Sequence, residues 1–289
     1  MSHAPGPPED EPRRSRGGGR RRAPARARAE WGPRERSPGS SSRGRGGDRG
    51  TRAGSGDRSA GARGAERAGK GGPRRREAVH LGDEIVKELH ATARPGKGEL
   101  LVQVFAEAAG AFAADDHATA IRLADQAKHM ALRAPVIREL LGLAYYRAGR
   151  WREATRELAA FRRISGSTEQ NPVIADCHRA LGRPDRAIEL CDEIDPKAPP
   201  AIRYEGAIVA AGALADLDRL DEGIARLERL DLDPRVAQEH HLRAWYALGD
   251  LLERRGRFTQ ALRWFESVAG ADPDLTDAPE RVARLRDRA

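Results

Sequence analysis

GAERAGKG, Gly64 to Gly71, comes close to the glycine-rich loop that cradles nucleotide phosphates. That loop needs a Ser or Thr hydroxyl for magnesium where this chain has Gly71, and an apolar strand leading into it, which is missing here. His240 and His241 invite a metal reading, but neighbours on a helix point in different directions. No histidine or carboxylate at i,i+4 completes a ligand set. The expectation is a helix start with one ring packed and the other solvated. Cys177 and Cys191 are too few for a disulfide scaffold and lack metal-ligand spacing, so buried small apolar side chains are expected. No G-x-S-x-G, no H-E-x-x-H and no glycine-rich strand-turn-helix occurs in the rest of the chain. The sequence therefore predicts no catalytic residue, no metal site, no cofactor and no enzyme.

What must position any functional side chain is set by a split in composition. Residues 1–77 hold 21 basic and 9 acidic residues, net +12, with 17 of the 31 glycines and no Ile, Leu, Val or Phe. Such a segment cannot bury enough apolar surface to offset chain entropy, which predicts a disordered Arg/Gly-rich tail. Residues 78–289 carry 31 basic and 35 acidic residues, net −4, and are rich in Ala and Leu, enough for one sizeable domain. No apolar stretch of secretory length follows the arginine pairs, and AIVAAGALADL, 207–217, is too short to span a bilayer. The expected location is cytoplasmic, with no membrane association.

Two stretches of that domain align without gaps: LGLAYYRAGRWREA, 141–154, and LGDLLERRGRFTQA, 248–261. Each puts two glycines seven apart among strong helix formers, although a mid-helix glycine costs roughly 1 kcal/mol relative to alanine. Taking Gly149, Gly182 and Gly256 as turn positions, with Asp115 and Asp218 as their equivalents, the spacings are 34, 33, 36 and 38. Seven residues before each turn stands a small residue (Ala108, Gly142, Ala175, Ala211, Gly249), and five after it another (Ala120, Ala154, Ala187, Gly223, Ala261). Each unit reads as two antiparallel helices whose small residues face each other. Pro135, Pro172, Pro199, Pro234 and Pro273 are read as closing units. Units are expected near 101–134, 135–167, 168–201, 204–239 and 242–275. LGDEIVKELHATA, 81–93, is expected to cap the first unit, and a polar helix over 277–289 the last, started by a capping box of Asp277 and Glu280.

Residues 245–273, through Trp245, Leu248, Gly249, Leu252, Ala261, Phe265 and Pro273, resemble the tetratricopeptide repeat (TPR) family, as do Leu141, Gly142, Tyr145, Ala154 and Leu158. The resemblance extends, in degenerate form, over about 190 residues. VIADCHRALGRPDRAIEL, 173–190, is similar to a group of such proteins from high-GC bacteria that carry an Arg/Gly-rich N-terminal tail. It implies an all-α fold, a right-handed superhelical solenoid of about five TPR-like helix pairs.

In that architecture the first helix of each pair lines a concave groove. Carried across by repeat phase, the groove-facing polar residues are Glu139, Tyr146, Arg147, Asp176, Arg179, Arg243, Tyr246, Asp250 and Glu253. Mixed charge with two tyrosines suits an adaptable peptide or protein site. Where some relatives clamp a C-terminal carboxylate with Lys and Asn, this chain has Phe105, Ala109 and Leu143, which argues against such a clamp. The small side chains of AIVAAGALA suggest an apolar hollow in the fourth unit. The implied function is a non-enzymatic scaffold binding a protein or peptide partner. The alternative is an RNA- or DNA-associated protein using RRSRGGGRRRAPARAR and SRGRGGDRG, through phosphate charge and arginine stacking, with GC-rich codon bias a competing source of the arginines.

Overall fold

Five tight turns set the architecture. In a computed structural model of the chain, which describes residues 79–288, Asp115, Gly149, Gly182, Asp218 and Gly256 all take positive φ, at 56°, 70°, 71°, 60° and 81°. The amide after each of them donates to the carbonyl five residues back: Asp116 to Ala111, Arg150 to Tyr145, Arg183 to His178, Arg219 to Leu214 and Arg257 to Leu252, all at 2.9 Å. This closes a helix through a left-handed residue and satisfies its orphan carbonyls. Three of the five are glycines, which take that conformation without a Cβ penalty; the two aspartates are among the few other residues that tolerate it.

The turns join helices into pairs. α1 (Asp83–Thr92) precedes α2 (Gly98–Ala113) with α3 (His117–Met130), α4 (Pro135–Arg147) with α5 (Trp151–Ser165), and α6 (Asn171–Ala180) with α7 (Pro184–Asp192). α8 (Pro200–Asp216) with α9 (Leu220–Leu227) and α10 (Glu239–Arg254) with α11 (Phe258–Ala271) follow, and α12 (Ala278–Arg286) ends the described residues. No strand occurs among them. Each pair packs internally and on its neighbours, giving an all-α helical repeat solenoid. The expected disordered tail and the GAERAGKG stretch lie outside the described residues. α8 begins at Pro200 and α10 at Glu239, a few residues ahead of the repeat phase.

Two sequence expectations are corrected. Pro135 and Pro172 open helices instead of closing them: they occupy the first turn of α4 and α6, where a missing N–H costs nothing. And the small residues do not all face each other. Gly223 does lie against Ala211, but Gly142 receives Leu158 and Gly249 the ring of Phe265, so the missing side chain is a socket for a large residue on the paired helix. All ten small positions are buried.

The ends of the stack are closed. Leu89 of α1 is fully buried, and Glu88 Oε1 accepts the Val136 N–H at 2.9 Å, capping the start of α4. Ala278, Val282 and Leu285 of α12 join the core of Leu248, Leu252 and Phe265. Asp277 stands at the N-cap of α12, but its side chain does not cap; it accepts from the Tyr246 hydroxyl at 2.5 Å.

The turns carry a prediction. A Cβ added at Gly256 meets nothing within 4 Å, so its cost is conformational alone. Gly256→Ala is expected to lose about 1 kcal/mol, lowering the thermal midpoint by about 2–4 °C, whereas Asp218→Gly should not lower it at all. Equal losses at both positions would refute this account of the turns.

Candidate functional site

α4, α6, α8 and α10 are the first helices of the second to fifth pairs, with α6 packed on α8 and α8 on α10. Residues three, four and seven apart share a helix face, so Arg243, Tyr246, Asp250 and Glu253 form one row on α10, and Asp176 and Arg179 another on α6. These rows are bonded to one another across helices. The Tyr146 hydroxyl donates to Asp176 Oδ2 at 2.7 Å. Arg179 donates to Asp216 at 2.9 Å and to Asp176 at 3.2 Å. Arg243 pairs with Glu205 at 2.8 Å. Arg281 of α12 donates to Asp250 at 2.9 Å and to Glu253 at 2.7 Å, and Arg284 to Glu253 at 2.8 Å. Arg147 reaches back to Asp115 in the first turn, at 3.0 Å, with its guanidinium over the Phe112 ring.

The electrostatics favour the charged forms of Arg179, Arg281 and Glu253. Burial alone would lower Arg179 and Arg281, but hydrogen bonds to Asp216 and Glu253 hold both guanidinium groups above their ordinary values. Burial raises Glu253, yet Arg284 and Arg281 bring it below the usual carboxylate range. Burial, with the hydrogen bond to Asp277, pushes the Tyr246 phenol up. A row of this kind can exchange internal pairs for charged or hydrogen-bonding groups of a bound chain, Arg being suited to two-pronged contact with carboxylates. Where α10 and α12 meet, a cleft of about 530 Å³ opens between Glu253, Phe258, Asp277, Arg281, Arg284 and Arg288.

Seven of the nine candidates lie along this row, and Arg147 stands beside Tyr146 on α4, paired with Asp115 of the first turn. Glu139 is not part of it: it is 5 % exposed and accepts from the Gln170 amide at 2.9 Å, because the chain entering α6 packs over that part of α4. Glu205 and Asp216 were missed, although the repeat phase carried the signal. Glu205 stands 38 residues before Arg243, one unit length, and Asp216, like Arg147 and Arg254, stands two before its turn residue. The apolar hollow in the fourth unit is corrected as well. A Cβ at Gly212 would lie 2.7 Å from the Arg179 guanidinium, and Ile194 covers Gly206, so the small residues of α8 are roofed by neighbouring side chains.

The other chemical candidates resolve into structure. His241 is 8 % exposed and its Nδ1 accepts the Gln238 N–H at 3.0 Å, capping α10, while His240 is half-buried with its ring edge-on to Tyr204. Burial pushes the thiols of Cys177 and Cys191 up to about 12, far from an activated nucleophile. Among the described residues no group of three or more His, Cys, Asp or Glu is arranged to hold a metal, and no helix is long and apolar enough to cross a membrane.

A family model described as tetratricopeptide repeat matches residues 208–276, from the middle of α8 to the approach to α12. Among solved structures, the crystal structure of the P58(IPK) TPR domain is similar at 20% sequence identity and a TM-score of 0.34. That similarity covers 66% of this chain and 56% of the other, so the chain spans little more than half of that domain's length. No curated protein matches the chain.

Proposed function

We propose that this protein is a non-enzymatic scaffold of the TPR type, holding a protein or peptide partner along the face of its first helices, the concave groove of such arrays. The observation that carries this reading is the partly exposed row of Tyr146, Asp176, Arg179, Asp216, Arg243, Tyr246, Asp250 and Glu253, bonded from helix to helix. Its side chains are amphipathic or charged and pre-ordered by one another, which cuts the entropy lost when a partner docks. The tetratricopeptide match over residues 208–276 supports the same reading. Residues 1–77 and 78–289 are taken as tail and array, and the cytoplasm as the location. The net +12 of residues 1–77 favours one second reading, nucleic-acid association through phosphate contacts.

Capture from lysate with and without nuclease separates the two. The full chain is compared with Arg147→Glu and Asp216→Lys, substitutions whose partners Asp115 and Arg179 lie at the surface or half-buried. The scaffold reading expects the same proteins after nuclease, and their loss from both variants at a temperature where circular dichroism shows each still folded. Recovery that vanishes with nuclease and ignores both variants overturns it in favour of nucleic acid.

A further inference from the structure

On α6, Ile174 and His178 point away from Asp176: two residues along a helix is about 200° around its axis. They form the floor of a separate crevice of about 320 Å³ between α5 and α7, lined by Thr155, Ala159, Arg162 and Arg163 of α5 and by Arg186 and Leu190 of α7. Its chemistry is two-part. Ala159, Ile174 and Leu190 make an apolar base, and Ile164, one of the few large hydrophobic residues exposed in the described residues, follows Arg163 at the end of α5. Around that base stand guanidinium groups. Arg162 is held by Glu193, and Arg186 by Glu189 and, more distantly, Glu193. Among the described residues, Arg163, on the rim, and Arg183, at the start of α7, have no carboxylate partner. Burial, together with Arg183 and Arg186, lowers His178 and keeps its imidazole neutral, and its Nδ1 is left without a hydrogen-bond partner.

We propose that this crevice is a second docking site, on the side of the array away from the first-helix row, for an acidic peptide that seats one aliphatic side chain on Ala159, Ile174 and Leu190. Charge complementarity selects the occupant. The rim has more guanidinium groups than carboxylates, so flanking Asp or Glu side chains gain contacts with Arg163 and Arg186, and the base accepts an apolar group that a nucleic-acid backbone does not offer. A scaffold with such a site would join two partners, one on each face.

The test uses the full chain and two fluorescent peptides, runs of Asp and Glu around a single Leu or, in the control, a single Ser, read by anisotropy. Any attraction between the peptides and residues 1–77 is shared by both, so the Leu-over-Ser preference reports the crevice alone. That preference is expected to be about tenfold or more. It should disappear in the double variant Arg163→Glu with Arg186→Glu, both side chains being exposed enough to leave the melting temperature unchanged. It should also disappear in Ala159→Trp, which fills the crevice and keeps every charge. Equal binding of the two peptides overturns the proposal, as does a preference that survives either variant. If instead a labelled oligothymidylate loses affinity in the double variant and no leucine preference exists, the crevice is a nucleic-acid contact and the peptide assignment is wrong.

Discussion

Glu157→Ala is expected to lower stability by about 3–5 kcal/mol, enough to unfold the first two helix pairs at moderate temperature. Glu157 lies on α5 at 1 % exposure, and three cations converge on it: Arg138 of α4 at 2.5 Å, Lys128 of α3 at 3.4 Å and Arg156 of α5 at 3.3 Å. Removing the carboxylate leaves Lys128 to Asp125, 2.6 Å away, but takes from Arg138, only 20% exposed, the anion it is bonded to at 2.5 Å. The knot also joins consecutive pairs, since Lys128 belongs to one and Glu157 to the next. Glu157→Gln keeps the shape and one acceptor and should recover part of the loss; thermal melting of both variants, followed by circular dichroism, measures it. A loss below about 1 kcal/mol for Glu157→Ala would mean that the cations reach solvent and the knot is an ordinary surface pair.

The same residue makes stability depend on acidity. Burial by itself raises the Glu157 carboxyl, but the hydrogen bond from Arg138 and the charges of Lys128 and Arg138 outweigh it and bring the group below its ordinary 4.5. A carboxyl lowered on folding releases its proton more readily in the folded state. Its contribution is therefore complete above the unfolded value and is lost as pH falls through the folded one. Asp125, lowered by its hydrogen bond to Lys128, acts in the same direction. The wild-type melting temperature should fall as pH drops below about 4.5, and Glu157→Gln should flatten that fall.

How far the sequence was legible depended on what each position had to satisfy. The turns were readable because a left-handed backbone admits few residue types, so even Asp115 and Asp218 stood out among glycines. The prolines were legible as boundaries but not as to which side, since proline suits a first helical turn as well as a stop. Of the nine first-helix candidates, the repeat phase leads to eight that are partly exposed. It failed at Glu139, where burial depends on how the chain between α5 and α6 folds over α4. The phase marked the positions of Glu205 and Asp216 but not their pairings, nor that of Arg281, because bonds between residues 28 to 38 apart are a property of the stack. The crevice between α5 and α7 was beyond the sequence altogether, being assembled from three helices of two units.

Two of the small positions, Gly223 and Gly249, and the exposed Gly270 should separate sharply when each glycine is changed to alanine. At Gly223 the added Cβ would lie 2.9 Å from the Ala211 carbonyl oxygen and 3.1 Å from Leu251 Cδ1. The first neighbour is backbone in the middle of α8 and cannot rotate away, so α9 must lift off α8. A loss of about 1–3 kcal/mol is expected, of the size that overpacking a closed core costs. At Gly249 the nearest atoms are the edge of the Phe265 ring, 3.1 Å away, and a ring can tilt by a few tenths of an ångström, so the loss should be smaller. At Gly270, exposed near the end of α11, the Cβ meets nothing, and the same change should gain about 0.5–1 kcal/mol from helix propensity alone. Thermal melts of the three variants give the order directly. Were Gly223→Ala to melt no lower than Gly249→Ala, the close approach of α9 to α8 would not be what that glycine is there for. The fourth pair would then owe its packing to Ile224 and Leu227 instead, both of which are buried in the core shared with α10 and α11.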